Sequence, residues 1–568
     1  MSNLENHTDQ LDSQVEIALS GLPSPSSKDS TGRTPRVSDK RDEALDILPS
    51  SGKPALFVTA AEDAHLVRKI DRRLMPIVFV IYFLQLLARQ SVSFSAVFGL
   101  SQDAGLKDKE YSLVVSIFSI AQLSMQPLSA YLLVRLRLST YVPLIVTCWG
   151  ATLACTAAAQ GFPGLLCGRF FLGVFEASIQ SSFVLTTQMW YRRHEQGFRL
   201  AIWYSNIGWV NVFGSLIMFG LGHIRSSALY SYQIIFLILG LVTVFFGLLS
   251  FFIFPDNASR CTFLKTEEKV MAVERIRDNQ QGMESKTFKI KQFLEVLGDV
   301  KTWCWVGIGF LVALPGGIIG SFGPLIMRGF GFDAYTVMLF LIPYGVSEVL
   351  FIFGGFWLNK RFSLKSPIIF CCLLPCVCAS IILLKTGRSP EDQPILLFAY
   401  YLLSSLAVVL PTLVNWQSSN VSGHTKKSVT ISFLLMGSTV GGIIGPLLIS
   451  SKNAPYYRKG KVTLNLSSLS SCAILVLFTV AYLWHLNRLN RKRRIANGKA
   501  GKIVDYSMLS AANAEKRRLE YLGGSLTGSE AVGSRAFDDL TDLENDEFIV
   551  SIFNLSEFYY LTWEQYVY

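Results

Sequence analysis

Charge is scarce in this chain. Acidic and basic residues make up only 16% of its 568 positions, against about 25% in soluble domains. Together with 51% hydrophobic residues and a mean hydropathy of +0.38, the deficit argues against the string of about three or four soluble domains that length alone would allow. Also missing are a phosphate-cradling loop, a nucleophile–base arrangement and a metal-ligand cluster. Their absence disfavours an enzyme and ATP-driven transport, and no cofactor is implied. The chain has no basic-then-apolar start followed by a small-residue cleavage site, so no cleaved signal peptide is expected and the amino terminus is placed in the cytoplasm. Ten cysteines lie mostly inside apolar runs. Cys371, Cys372, Cys376 and Cys378 crowd together without His or acidic neighbours, which reads as small buried residues and not as a metal site.

What the chain does contain is long apolar runs. A helix crossing lipid needs about 20 mostly apolar residues. Such runs fall at 74–95, 112–134, 142–159, 163–187, 200–222 and 232–254, and after a polar gap at 303–327, 337–358, 366–385, 394–414, 428–450 and 464–486. We number them spans 1 to 12. The expected fold is all-α: twelve transmembrane helices in two six-helix bundles, at 66–254 and 303–486. A charged connector at 255–302 joins them. Residues 1–65, rich in Ser, Pro, Asp and Lys near the start, read as a disordered tail, and 487–568 as a second tail.

The net charge of +11 sits in short clusters between the apolar runs, which reads as positive-inside loops and not as a nucleic-acid surface. Arg68, Lys69, Arg72 and Arg73 lead span 1. Arg192, Arg193 and Arg199 follow span 4, and Arg488, Arg491 and Lys492 follow span 12. Both termini are therefore expected in the cytoplasm, with the plasma membrane as the expected location.

Charged groups inside a span are costly and mark function by default. Four stand out: Arg89 in span 1, Arg169 and Glu176 in span 4, and Glu348 in span 8. Arg169 and Glu176 are two turns apart on one face, a rise of about 10 Å. They are expected to pair directly or through water, either for function or merely to fix helix packing. Arg89 has no acid one turn away. It either holds an anion such as a substrate carboxylate or snorkels to the outer interface. Glu348 follows Pro343-Tyr344-Gly345 and is a proton site or a packing residue. Gln122, Gln126, Asn206 and Asn211 are neutral polar groups that commonly hydrogen-bond across helices; Gln122 and Asn211 join Arg89 and Arg169 as candidate substrate contacts. Gly316, Gly317, Gly320 and Gly323-Pro324 are expected to break span 7, and Gly437, Gly441, Gly442 and Gly445-Pro446 line span 11.

Several of these stretches resemble one family. Asp71-Arg72-Arg73-Leu74-Met75-Pro76 opens span 1, and span 4 carries Arg169-Phe170-Phe171-Leu172-Gly173-Val174-Phe175-Glu176-Ala177. Trp190-Tyr191-Arg192-Arg193-His194-Glu195-Gln196-Gly197, Ser321-Phe322-Gly323-Pro324 and Ser419-Asn420-Val421-Ser422-Gly423-His424 complete the pattern. Over about residues 65–485 the chain resembles the major facilitator superfamily, in its fungal anion:cation symporter branch, the allantoate permease family. The resemblance implies proton-coupled movement of small organic anions such as allantoate or nicotinate. It implies that Arg89 grips a carboxylate, and that Arg169 and Glu176 form a pair that a proton breaks. The chain departs from the family at Ala88, Gln126 and Leu239, where acids are usual, and at Lys360. The 549–568 end has no counterpart in the family.

The sequence thus predicts a multi-pass secondary transporter of a small, anionic solute, working as a monomer with the proton as coupling ion. Glu176 is the leading proton site and Glu348 its rival. An exporter of a secondary metabolite on the same fold and a non-transporting nutrient sensor are the alternatives.

Overall fold

The structure is a computed structural model that describes residues 60–107, 110–224, 229–255, 261–277, 289–362, 365–387, 389–447, 458–496 and 541–542. Of the expected disordered stretch 1–65, residues 1–59 lie outside these, as does the 549–568 end; residues 60–65 instead belong to the helix Ala60–Val97, which leads into span 1. No strand occurs among the described residues.

Among the described residues, twelve helices are long and apolar enough to cross a membrane: Glu62–Val97, Glu110–Ser129, Leu138–Thr156, Phe162–Trp190, Glu195–Gly222, Ser231–Ile253, Val300–Arg328, Ala334–Asn359, Ser366–Lys385, Gln393–Ser419, Thr425–Leu447 and Leu466–Arg493. They match the apolar runs one for one. Large apolar side chains such as Phe245, Phe252, Leu350 and Ile474 are exposed, as a lipid-facing surface requires. The helices form the two six-helix bundles expected from the grouping. In the first, span 3 packs on spans 4 and 6, and span 2 on span 4. In the second, span 7 packs on spans 11 and 12, and span 9 on span 12. Spans 1 and 7, 2 and 11, and 5 and 8 meet across the halves.

Lipid tails are as apolar as leucine, so helix association rests on close packing and not on the hydrophobic effect. Span 11 shows how. Gly437, Gly441 and Gly445 repeat every four residues and face the carbonyls of Val306, Phe310 and Leu314 on span 7. A Cβ would come within 2.7, 2.4 and 2.4 Å of those oxygens. Asp299 caps the start of span 7, its carboxylate accepting from the Lys301 backbone N–H at 3.2 Å.

The glycine-rich segment of span 7 corrects an expectation. The helix runs unbroken from Val300 to Arg328 through Pro315 and Pro324, because packed neighbours in a bundle tolerate the freed backbone groups. Interruptions fall elsewhere. Span 4 divides into Phe162–Glu176 and Ile179–Trp190. Span 5 contains a π-helical stretch at Val210–Gly214, and span 10 a 3₁₀ stretch at Leu403–Val408. The span 4 break contains neither Gly nor Pro. Its Ser178 accepts from the Tyr141 hydroxyl at 3.1 Å and, through its carbonyl, from Ser182 Oγ at 2.7 Å.

The connector carries two helices, Thr266–Arg277 and Ile290–Gly298. The first is tied to span 1 by Lys69–Glu268 at 2.7 Å. Lys69 outcompetes the small burial penalty and holds the Glu268 carboxyl below its usual range. Helix continues past span 12 to Ala496.

Candidate substrate cavity

A cavity of about 320 Å³ lies between the halves. Among the described residues, its walls come from spans 1, 2, 4 and 5 of the first half and 7, 8, 10 and 11 of the second. Spans 1, 4, 7 and 10 therefore line it with one neighbour each. Contacts between the halves flank it along the spans. Towards one side, Arg328 Nη1 donates to the Val97 carbonyl at 2.9 Å and the Tyr335 hydroxyl to the Gly222 carbonyl at 3.2 Å. Towards the other, Gln188 Nε2 donates to Ser418 Oγ at 3.3 Å.

Arg89 borders the cavity and is exposed to it. Its guanidinium lies 5.5 Å from the Phe118 ring centre. No acid among the described residues is within ion-pairing distance of it. Gln122 and Asn211 also line the wall, as do Gln90 and Gln180, which sequence reasoning missed. A glutamine in an apolar run carries no signal of which side it faces. Gln126 reaches across to Thr439 Oγ1 at 3.4 Å. Asn206 is a packing residue, donating to the Phe79 carbonyl at 3.0 Å.

A direct Arg169–Glu176 pair is not formed. Arg169 is 3% exposed and turns to span 1, where Nη2 donates to Ser91 Oγ at 3.1 Å and Nη1 to the Ala88 carbonyl at 3.4 Å. The Phe236 ring centre lies 5.4 Å from its guanidinium carbon. At the position where the family commonly has an acid, the Ala88 backbone thus supplies the acceptor. Glu176 is fully enclosed at the end of the first half of span 4. It accepts from Gln85 Nε2 at 3.1 Å, and its Oε2 has no hydrogen-bond partner. Span 1 offers each residue a nearer partner than seven positions of helix allow. Arg169 borders the cavity, whereas Glu176 lies behind its wall.

Glu348 does border it. Its Oε2 accepts from Asn211 Nδ2 at 2.6 Å, a bond between the halves. Asn211 stands in the π stretch of span 5, a distortion that recurs at functional sites. Close backbone contact brings the two spans together: a Cβ on Gly208 would lie 2.4 Å from the Gly345 carbonyl. Two family motifs also meet. Arg199 Nη2 pairs with Asp71 at 3.0 Å, and the Arg199 guanidinium carbon lies 4.7 Å from the Tyr191 ring centre.

Two six-helix halves around a shared, largely apolar cavity set with a few polar groups are the architecture of a secondary transporter and not of an enzyme. Residues 78–446 match the Major Facilitator Superfamily. The thiamine pathway transporter THI73 of Saccharomyces cerevisiae is 31% identical over 474 residues, 83% of this chain and 89% of that protein. The allantoate permease of the same yeast is 29% identical over 495 residues, 85% and 89% of the two chains. Among solved structures, the proton:xylose symporter XylE aligns with a TM-score of 0.56 at 11% identity, covering 72% of this chain and 95% of that one. The chain belongs to the Major Facilitator Superfamily. Within it, the chain falls in the allantoate-permease-like branch that its motifs resemble, a multi-pass membrane transporter.

Proposed function

We propose that the protein carries a small organic anion, a carboxylate of nutrient or vitamin size, across the plasma membrane by alternating access, coupled to protons and with both termini in the cytoplasm. The observation that carries this reading is Arg89. It is a guanidinium in a cavity at lipid depth with no acid paired to it, and its planar fork matches a carboxylate bidentately. Gln122, Arg169 and Asn211 supply further donors around the same volume. The likeness to an allantoate permease supports an anionic solute, while the likeness to a thiamine pathway transporter supports a vitamin-related one.

For coupling, Glu348 is the acid a proton reaches from the cavity. Protonation removes the charge that Asn211 stabilises and weakens the bond between spans 5 and 8. Glu176 is the second candidate. It is enclosed beside the span 4 break, where a proton would remove its buried charge.

A thermal-shift screen of the purified protein against organic acids and their methyl esters tests the reading. Acids that bind raise the melting temperature by mass action; their esters do not. Equal shifts for an acid and its ester rule out carboxylate recognition at Arg89.

A further inference from the structure

The helix Ile290–Gly298, at the end of the connector, has two unlike faces. One packs on the start of span 11, where Gln292 and Val296 are buried. The Gln292 side-chain oxygen accepts from the Lys426 backbone N–H at 3.2 Å. Glu295 pairs with the Lys426 ammonium at 2.8 Å, and the Lys289 backbone N–H donates to Thr425 Oγ1 at 3.2 Å. The approach is close: a Cβ on Gly423, whose φ is +91°, would lie 3.2 Å from the Gln292 amide. The other face is apolar and open. Ile290, Leu294 and Leu297 are 67%, 59% and 41% exposed, and their spacing of four and three aligns them in one strip.

The strip does not end with its helix. A single extended residue, Asp299, separates it from span 7, and beyond it Val300 and Trp303 are exposed as well. Trp303 Nε1 donates to the Leu297 carbonyl at 2.9 Å. The rings of Phe293 and Trp303 lie 6.5 and 6.1 Å from that of Phe433 on span 11. The strip thus continues into the outer, lipid-facing surface of the second bundle, with a tryptophan at the junction. Indole rings concentrate at the boundary between membrane and water. Lys289 and Lys291 are exposed at the start of the helix. There they oppose the helix macrodipole, but their charge suits phosphate headgroups. Three apolar side chains fall well short of the about 800 Å² per partner that a standard protein interface buries. A bilayer requires no such area from them, because the strip only extends a surface already in lipid.

We propose that the helix Ile290–Gly298 is a membrane-interface anchor. Its strip of Ile290, Leu294 and Leu297 sits in the headgroup–acyl boundary of the leaflet where spans 7 and 11 begin, as interfacial amphipathic helices do. Its opposite face ties that depth to the first turn of span 11 through Gln292 and Glu295. The test needs neither solute nor flux. Nitroxide labels are placed singly at positions 290, 294, 297 and 291 of the full chain in nanodiscs of phosphatidylcholine and phosphatidylserine. Collision rates are read with oxygen, which concentrates in lipid, and with a water-soluble nickel chelate. Labels at 290, 294 and 297 are expected to meet oxygen severalfold more often than nickel. Position 291 lies about a quarter turn away and is expected to show the reverse. Nickel reaching the strip as readily as position 291 overturns the anchor by placing the helix in water. Shielding of the strip from both agents overturns it by placing protein over that face. In a second arm, Leu294→Glu should raise backbone hydrogen exchange across 290–298 severalfold, and Leu294→Ile should not. Thermal unfolding of each variant separates release of this helix from global unfolding. A Leu294→Glu protein with unchanged exchange would show that Gln292 and Glu295 hold the helix without lipid, and would also overturn the anchor.

Discussion

Asn211 on span 5 donates a 2.6 Å hydrogen bond to the Glu348 carboxylate on span 8, joining the two halves at the wall of the cavity. A bond to a charged group contributes about 1.5–3 kcal/mol, and here both groups are buried. Any movement that separates the halves at this level must break it or neutralise it.

The two buried acids can therefore be told apart. Glu348→Gln is expected to abolish accumulation of the solute against a gradient while retaining downhill exchange in proteoliposomes. Glu176→Gln is expected to slow both without changing the accumulation ratio. The reverse pattern would move coupling to Glu176, and concentrative uptake in both variants would leave a uniporter.

Removing the cavity arginine should strike binding and not folding. Arg89→Ala is expected to weaken a carboxylate ligand by about 2–5 kcal/mol, the usual cost of deleting one partner of a desolvated charge pair. Arg89→Lys should rescue little, because an ammonium lacks the planar fork. Titration calorimetry alongside thermal unfolding separates the two effects; a lysine variant of wild-type affinity would refute bidentate recognition.

The span 7–11 seam predicts a contrast between neighbours. A Cβ at Gly441 would meet the Phe310 carbonyl at 2.4 Å, whereas one at Gly442 meets nothing within 4 Å. Overpacking of this kind costs about 1–3 kcal/mol. Gly441→Ala should lower the melting temperature in detergent by several degrees, and Gly442→Ala should not. Equal melting temperatures would show that the helices can shift apart freely.

Acid should break the ion pairs of Asp542 only late. Burial raises the Asp542 carboxyl, but Lys301 and Lys426 outweigh it and hold the group below its ordinary value. A depressed folded pKa stabilises these pairs above the unfolded value of about 3.9, and that contribution is lost as pH falls through the lower folded value. Protection of segment 420–427 should thus persist between neutral pH and the ordinary aspartate range and collapse only below it. Loss of protection already near pH 6 would contradict the ion-paired arrangement.

Some of this protein is legible along the chain alone. Span 9 was expected at 366–385 and runs Ser366–Lys385; the other spans agree to within a few residues at most ends. The reason is local: about twenty apolar residues must be helical in lipid, whatever surrounds them, because every backbone group must find its partner within the segment. The unaffordable charges, Arg89, Arg169, Glu176 and Glu348, were legible for the same reason. Which of them meet was not. Spacing relates residues on one helix, and it pointed Arg169 at Glu176. The partners that Arg169 takes, Ser91 and the Ala88 carbonyl, lie on another helix about eighty positions away. Asn211 finds Glu348, and Asp542 finds Lys301, across greater separations still. Nor does any glycine or proline announce the break after Glu176, where the Ser182 hydroxyl bonds the Ser178 carbonyl and the Tyr141 hydroxyl bonds the Ser178 hydroxyl. The membrane dictated where the helices lie; only their packing against one another decided which polar groups face the cavity and which face each other.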